Sequence, residues 1–306
     1  MNIFRTKKLY ITIALVLLVS ITGIIVLNLD VLLRFIHSYQ SGTLTLEKIR
    51  FDIASLNLGR KSPFTPIDKK KSAMDGMIQL YVPEGEFIMG TTHDHDFPDS
   101  PEHTVYLDAY WVDKVEVTNS MYLKCLQAEG CTTPVSDNIF YTNWIYRDHP
   151  IVYVTWSQAD TYCQWAGRRL PTEAEWERAA RGTDRRLYPW GGGQQPNPRL
   201  ANFSDTLIQE SVSSFRYPVG ASPYGVLNMA GNVREWVADW FDPNYYTYSP
   251  YENPLGPETG IERSLRSASY NEDGREIMIT NRFNHDPESA GLSRGFRCAQ
   301  DSGTGN

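Results

Sequence analysis

Residues 228–240 combine side chains that could hold a metal ion. Their sequence, NMAGNVREWVADW, shows neither a helical nor a strand period and mixes oxygen donors with two tryptophans. Ordering such an irregular segment costs conformational entropy, so an added interaction must hold it in place. One interpretation is a Ca²⁺ site, since hard oxygen donors suit that ion. Its candidate ligands are Asn228, Glu235 and the backbone carbonyls of Gly231 and Val233. The alternative is a loop held by packing of the two tryptophans alone.

A second group of metal-ligating side chains lies between residues 93 and 103, where three histidines alternate with four carboxylates. Such a mixture can bind Zn²⁺ or Fe²⁺. The cluster nevertheless falls in a Pro-containing connection between predicted strands, which favours a solvated loop. No H-E-x-x-H, G-x-S-x-G or phosphate-binding glycine motif is present. Nucleophilic and phosphate chemistry are therefore not supported.

The chain contains four cysteines, Cys125, Cys131, Cys163 and Cys298. An even number of cysteines beyond an export signal favours two disulfides. Cys125 and Cys131 would close a small loop, and Cys163 and Cys298 would join the middle of the chain to its end. Because no C-x-x-C pair is present, a four-thiolate metal site is disfavoured.

The N-terminal residues predict a membrane anchor. Residues 9–27 are uncharged and long enough to cross a bilayer as a helix. Basic residues precede them, which places the first residues in the cytoplasm. A cleaved signal peptide is the alternative, but the apolar run is long and no small-x-small site follows it. We therefore expect a cytoplasmic tail over 1–8, a transmembrane anchor over 9–29 and a single-pass protein whose main domain is extracytoplasmic, either periplasmic or extracellular.

The rest of the chain predicts one loop-rich domain. Its 8 Trp, 18 Tyr and 12 Phe can fill a sizeable core, while 22 Gly and 18 Pro predict short elements. The net charge of −7 and the lack of a basic stripe argue against nucleic acid as a partner. Residues 30–74 are predicted to form a juxtamembrane connector that ends near the charged run Asp68–Lys71. The domain is expected over 75–301, followed by a tail over 302–306.

Local patterns predict strands first and then helices. Alternating apolar residues predict strands at 78–82, 86–89 and 103–112. Capping and stop signals predict helices at about 119–129, 157–166 and 172–182. The third helix has the clearest signals, because Thr172 and Glu175 form a capping box and Gly182 follows its last turn. Beyond Gly182 the sequence predicts short strands and long loops.

Seven segments, in this order, resemble the formylglycine-generating enzyme, or sulfatase-modifying factor, family. They are Tyr81–Gly90, Asp113–Asn119, Pro150–Trp156, Arg169–Gly182, Tyr188–Gly191, Asn228–Trp240 and Gly295–Ala299. Among them, RLPTEAEWERAARG at 169–182 resembles the family's signature helix. The resemblance covers roughly residues 75–301. It implies an α+β, C-type-lectin-like fold with little regular secondary structure.

The resemblance also implies a structural Ca²⁺ ion. In the family, the asparagine, the glycine, the following carbonyl and the glutamate of an N-x-x-G-N-x-x-E segment bind calcium. The matching positions here are Asn228, Gly231, Val233 and Glu235. The family's long-range disulfide joins cysteines that match Cys163 and Cys298.

A second calcium site of the family is matched only in part. It begins at an asparagine like Asn202, and Phe203 would supply a carbonyl. The later acidic ligand has no clear counterpart. Asp205 and Glu210 are its candidates, in a shortened loop.

The segment that should carry the family's active site departs from the pattern. Active members have two cysteines, spaced by four residues, just after a GGSW/Y segment. That pair binds copper(I) and activates oxygen to convert a substrate cysteine to formylglycine, and two soft thiolates suit Cu(I). Here the segment reads RSASY at 266–270 and NEDGREI at 271–277, and no cysteine lies between Cys163 and Cys298. Copper is therefore not expected.

Two functions stay open on the sequence. The first is a membrane-anchored accessory module that binds an unknown protein, peptide or glycan, with the Tyr-rich loop 242–251 as a candidate surface. The second is an enzyme of the same family, either a formylglycine-generating oxidase or one with altered chemistry in the same cleft. Candidate residues of that cleft are Tyr270, Asp273, Arg282 and His285. A histidine such as His285 could act as a base or a metal ligand.

Overall fold

The structure, a computed structural model, describes residues 68–92, 98–136 and 139–303. The predicted anchor at 9–29 lies outside the described residues, as does most of the histidine cluster. Within the described ranges no helix is both long and apolar enough to cross a membrane.

Short strands in three sheets make up the β structure of the described residues. The first sheet has the order β1-β2-β5-β10 and is antiparallel throughout; its strands are Lys69–Lys71, Ile78–Val82, Tyr110–Asp113 and Ala299–Asp301. The second pairs β3, Gly85–Met89, with β4, His103–Leu107. The third has the order β8-β7-β6-β9; in chain order its strands are β6 Arg234–Trp240, β7 Arg263–Arg266, β8 Phe283–His285 and β9 Arg294–Phe296. Only its β6–β9 pair is parallel.

Three α-helices lie between the strands of the described chain, and all three were predicted. They are α1 Asn119–Gln127, α2 Trp156–Trp165 and α3 Glu173–Arg181. Each begins after a threonine whose hydroxyl accepts a backbone N–H of the first turn, which satisfies a donor that the helix itself cannot pair. The capping box of Thr172 and Glu175 is present. Every residue of α3 is buried, so this helix forms the centre of the domain.

The prediction that residues 228–240 are irregular throughout was wrong for their second half. Arg234–Trp240 form β6, a central strand with β7 on one side and β9 on the other. Its buried residues include Glu235, Trp236, Val237 and Asp239, so both faces of the strand are covered and polar and apolar residues need not alternate along it. This explains why the strand period was missing from the sequence.

The charged run at 68–71 does not behave as a solvated linker. Lys69–Lys71 form β1, which pairs with β2 at the edge of the first sheet. Lysines on an edge strand discourage pairing with other chains, so charge is compatible with a strand at this position. The sheet thus begins before residue 75.

Both predicted disulfides are confirmed. One joins Cys125 to Cys131, and the other joins Cys163 of α2 to Cys298 just before β10. The second bridge lies in the apolar core, where Tyr162 packs edge-on against Phe296. It ties the last strands of the chain to the middle helix.

Candidate functional site

The predicted calcium turn has the backbone of a tight, irregular loop. Asn228, Gly231 and Asn232 all have positive φ angles, of 57°, 84° and 70°. A Cβ atom on Gly231 would lie 2.2 Å from the carbonyl oxygen of Asn202, so only glycine fits there. The turn is therefore packed against the start of the second candidate calcium loop.

The carboxylate of Glu235 is fully buried and already has protein partners. Its Oε2 accepts hydrogen bonds from Arg297 Nε at 2.6 Å and from Trp176 Nε1 at 2.8 Å. Its Oε1 accepts one, from Arg297 Nη2 at 2.6 Å. Since a carboxylate oxygen has two lone pairs, Oε1 retains one for a cation.

A second buried carboxylate, Glu116, faces the same turn and was missed as a candidate from the sequence. It accepts the side-chain N–H groups of Asn228 at 2.9 Å and of Asn232 at 2.7 Å. Burial raises the pKa of Glu116 to about 7; Arg297 opposes that rise and the charge of Glu235 adds to it. One guanidinium thus faces two buried carboxylates, and the net negative charge favours binding of a cation. Carboxylate, amide and carbonyl oxygens such as these are the donors that Ca²⁺ prefers.

The second candidate calcium loop does not fit an ion in the same way. The hydroxyl of Thr206 lies 2.9 Å from Asn202 Oδ1 and 2.7 Å from the carbonyl oxygen of Phe203, the two oxygens expected to bind calcium. The backbone N–H of Thr206 also donates to the Phe203 carbonyl, at 2.9 Å. A threonine hydroxyl therefore occupies the position between the expected ligands.

We expect the protein to bind one Ca²⁺ ion per chain, at the 228–235 turn. An ion bound only to the folded state stabilises it by mass action, so chelation should lower the melting temperature. At a free calcium level a hundredfold above Kd, the loss is about 2.7 kcal/mol. Thermal melts in EDTA and after Ca²⁺ is restored measure the change in melting temperature. Elemental analysis measures the number of calcium ions per chain. An unchanged melt with no bound calcium would contradict the site, and two ions per chain would contradict the role given to Thr206.

The segment at 266–277 forms a compact turn after β7. Glu272 forms an ion pair with Arg234 at 2.7 Å, and its carboxylate also accepts the backbone N–H of Ser269. Ile277 is fully buried in the core. All four cysteines of the chain are in disulfides, so no thiolate can approach this turn. The residues present do not fit a copper(I) site.

The four predicted cleft residues have different surroundings. Arg282 is 1% exposed and pairs with Glu173 inside the domain, so it is not available to a ligand. Asp273 is partly exposed, and its carboxylate accepts backbone N–H groups of its own turn. Tyr270 is buried.

His285 lies on β8, next to Asp286 in the chain. The carboxylate of Asp286 accepts the backbone N–H of Glu288, at 2.9 Å. Burial, and then the nearby charge of Arg294, lower the pKa of His285. Arg294 and Arg234 are register partners across β9 and β6, a proximity that their separation in sequence concealed.

A buried ion network occupies the interior near α3. Glu173 accepts hydrogen bonds from Arg282 at 2.8 and 2.9 Å and from Arg266 at 3.0 Å. Arg266 also pairs with Glu177 at 2.8 Å. The backbone N–H of Glu173 donates to the buried carboxylate of Asp239 at 2.7 Å. These groups hold α3 against β6 and β7. They thereby position the two strands next to which the calcium turn and the segment at 266–277 lie.

Comparison with known proteins agrees with this architecture. The chain is 33% identical over 284 residues to the formylglycine-generating enzyme of Streptomyces coelicolor, an alignment covering 73% of this chain and 89% of that protein. It is 38% identical over 167 residues to the mouse protein named inactive C-alpha-formylglycine-generating enzyme 2, covering half of each chain.

Among solved structures, PvdO from Pseudomonas aeruginosa superposes with a TM-score of 0.65 at 23% identity, covering 78% of this chain and 99% of PvdO. At that identity the likeness concerns the fold alone. Residues 64–302 match the family described as the sulfatase-modifying factor enzyme 1-like domain. The match includes most of the chain, and this protein therefore belongs to the formylglycine-generating enzyme, or sulfatase-modifying factor, family.

Proposed function

We propose that this protein is a membrane-anchored, extracytoplasmic member of the family that binds a protein, peptide or glycan as an accessory module and does not act as a copper oxidase. One observation carries the proposal: the four cysteines form two disulfides, and the turn at 266–277 has none. Copper(I) chemistry requires soft ligands, and the carboxylate, amide and guanidinium groups of that turn are hard.

Other features support the cellular setting. Disulfides persist in oxidising compartments, which agrees with an export anchor over 9–29. The relative named inactive indicates that loss of activity is compatible with this family's fold. The buried network around Glu173 and the calcium turn would then stabilise a binding scaffold.

The purified full-length protein is expected to produce no formylglycine from a peptide with a sulfatase cysteine motif, under air and with added Cu(I). Mass spectrometry of the peptide measures the conversion. An active formylglycine-generating enzyme of the family serves as the positive control. Copper-dependent conversion would overturn the proposal and establish the alternative, an oxidase of the same family. Conversion without copper would instead indicate altered chemistry in the same cleft.

A further inference from the structure

A cleft of about 830 Å³ opens on the described domain, away from the segment at 266–277. None of residues 266–277 lines it. Its volume falls in the range of clefts that bind ligands, about 300–1,000 Å³. Its apolar lining includes Leu107, Ala109, Leu170 and Ala238. The cleft thus has both the size and an apolar surface suited to an extended ligand.

The charged lining of this cleft is acidic. Five carboxylates and two guanidiniums line it, a net charge of −3; they belong to Glu84, Asp108, Asp160, Glu175, Asp301, Arg169 and Arg263. Arg169 is already neutralised, because its guanidinium pairs with Glu175 at 2.7 Å and with Asp301 at 2.6 Å. Its charge is therefore not available to offset the other carboxylates.

The second guanidinium is held inside the cleft wall. Arg263 is stacked between two tryptophans, with its Cζ 3.7 Å from the ring of Trp156 and 3.6 Å from that of Trp240. Its Nη1 donates to the carbonyl of Ala238 at 2.6 Å. The wall thus already shows how a planar cation packs on these aromatic faces.

Three carboxylates of the cleft have no salt bridge within the described chain. Glu84 and Asp108 are exposed at the rim, and Asp160 is half-buried. Asp108 accepts a hydrogen bond from Asn253, and Asp160 accepts one from Gln164, both neutral amides. Burial raises the pKa of Asp160, and the hydrogen bond from Gln164 and the charge of Arg263 only partly oppose that rise.

We propose that this cleft binds a peptide segment bearing lysine or arginine side chains. The acidic lining of the cleft favours a ligand with positive charge. The apolar lining accommodates the aliphatic stems of lysine and arginine side chains. No group of three or more metal-ligating side chains in the described residues converges on one point. A peptide with several cationic side chains can pair with carboxylates at more than one place in the cleft, whereas a metal ion needs its ligands at one point. The inference does not depend on the loss of the copper site, since different residues carry it.

The test uses fluorescence anisotropy of full-length protein with a short labelled peptide of alternating lysine and glycine. A glutamate–glycine peptide of equal length is the ligand control. The triple variant Glu84→Gln, Asp108→Asn, Asp160→Asn is expected to raise Kd about tenfold or more at low ionic strength, and added salt should weaken wild-type binding.

A matched variant, Glu129→Gln, Glu258→Gln, Glu288→Gln, removes the same charge from exposed positions outside the cleft. Its Kd should stay close to that of the wild type. Equal weakening in both variants would overturn the site, because bulk charge alone would then explain binding. Equal affinity for the acidic peptide, no binding of the basic peptide, or full competition by equimolar Ca²⁺ would also overturn it. The formylglycine assay is read separately, so either proposal can fail alone.

Discussion

Replacing Glu173 with glutamine is expected to lower the free energy of unfolding by about 3–5 kcal/mol, the usual cost of removing one partner of a buried ion pair. Glu173 is the carboxylate that pairs with Arg282, and both side chains are almost fully buried. The substitution would remove the carboxylate that forms the direct ion pair with the Arg282 guanidinium in the interior. Arg266 would keep Glu177 as its partner, so the loss should fall mainly on Arg282. Urea unfolding followed by circular dichroism measures the change.

The pH dependence of that loss can also be predicted. Burial alone would raise the pKa of Glu173, but Arg282 and Arg266 outweigh it and hold the pKa below its ordinary value. A carboxylate whose pKa is lower in the folded than in the unfolded state stabilises the fold above its unfolded pKa, and this stabilisation is lost as the pH falls through the folded pKa. The difference between the variant and the wild type should therefore be largest at neutral pH and shrink in acid.

The variant Asp239→Asn serves as a control, because the pKa of Asp239 is shifted in the opposite direction to that of Glu173. Burial and the charge of Glu173 raise the pKa of Asp239 well above its ordinary value. The folded protein therefore keeps Asp239 protonated at pH values where the unfolded chain ionises it, and stability falls as the pH rises from the unfolded pKa towards the folded one. Asp239→Asn keeps an oxygen for the N–H of Glu173 and removes that cost, so its stability at neutral pH should equal or exceed that of the wild type. A large loss in Asp239→Asn, or none in Glu173→Gln, would contradict the charge assignment of the network.

The second large effect concerns the two disulfides, which are expected to contribute different amounts to the free energy of unfolding. Cys163 and Cys298 are 135 residues apart, whereas Cys125 and Cys131 are 6 apart. A crosslink stabilises mainly by restricting the unfolded chain, and the effect increases with loop length. Loss of the long bridge by Cys163→Ala with Cys298→Ala should cost about 5 kcal/mol, and loss of the short one by the matching pair of alanines about 2 kcal/mol.

Unfolding curves of the two double variants and the wild type, all without reductant, give these differences directly. Each double variant removes both sulfurs of one bridge, so neither leaves an unpaired thiol. An equal loss in both variants would contradict the dependence on loop length. Free thiols in the denatured wild type without reductant would contradict the pairing itself.

Local signals predicted the helices well. Thr172 and Glu175 satisfy the first N–H groups of α3 within the same short segment, so neighbouring residues alone determine where that helix begins. The disulfides were also predictable, because four cysteines and a family match left few pairings. The calcium turn could be proposed from the sequence because its candidate oxygen donors are close together in the chain; it stays a prediction.

Contacts between distant residues were not predictable in the same way. Arg282 looked available for a cleft, yet its partner Glu173 is 109 residues away in sequence. Glu116 was overlooked for the same reason, since Asn228 lies 112 residues further along the chain. The strand period of β6 was hidden because the consecutive residues Glu235, Trp236 and Val237 are all buried. Burial and pairing of this kind arise only when the sheets assemble.

The position of β10 sets a constraint on the timing of folding. Residues 299–301 complete the first sheet beside β5, and the residues just before them supply Arg297 for Glu235 and Cys298 for Cys163. The earlier strands of this sheet are therefore made long before the segment that covers their edge. A growing chain must keep β5 unpaired on that side until residues 299–301 have been synthesised. Until then this edge of the first sheet stays open to aggregation and proteolysis.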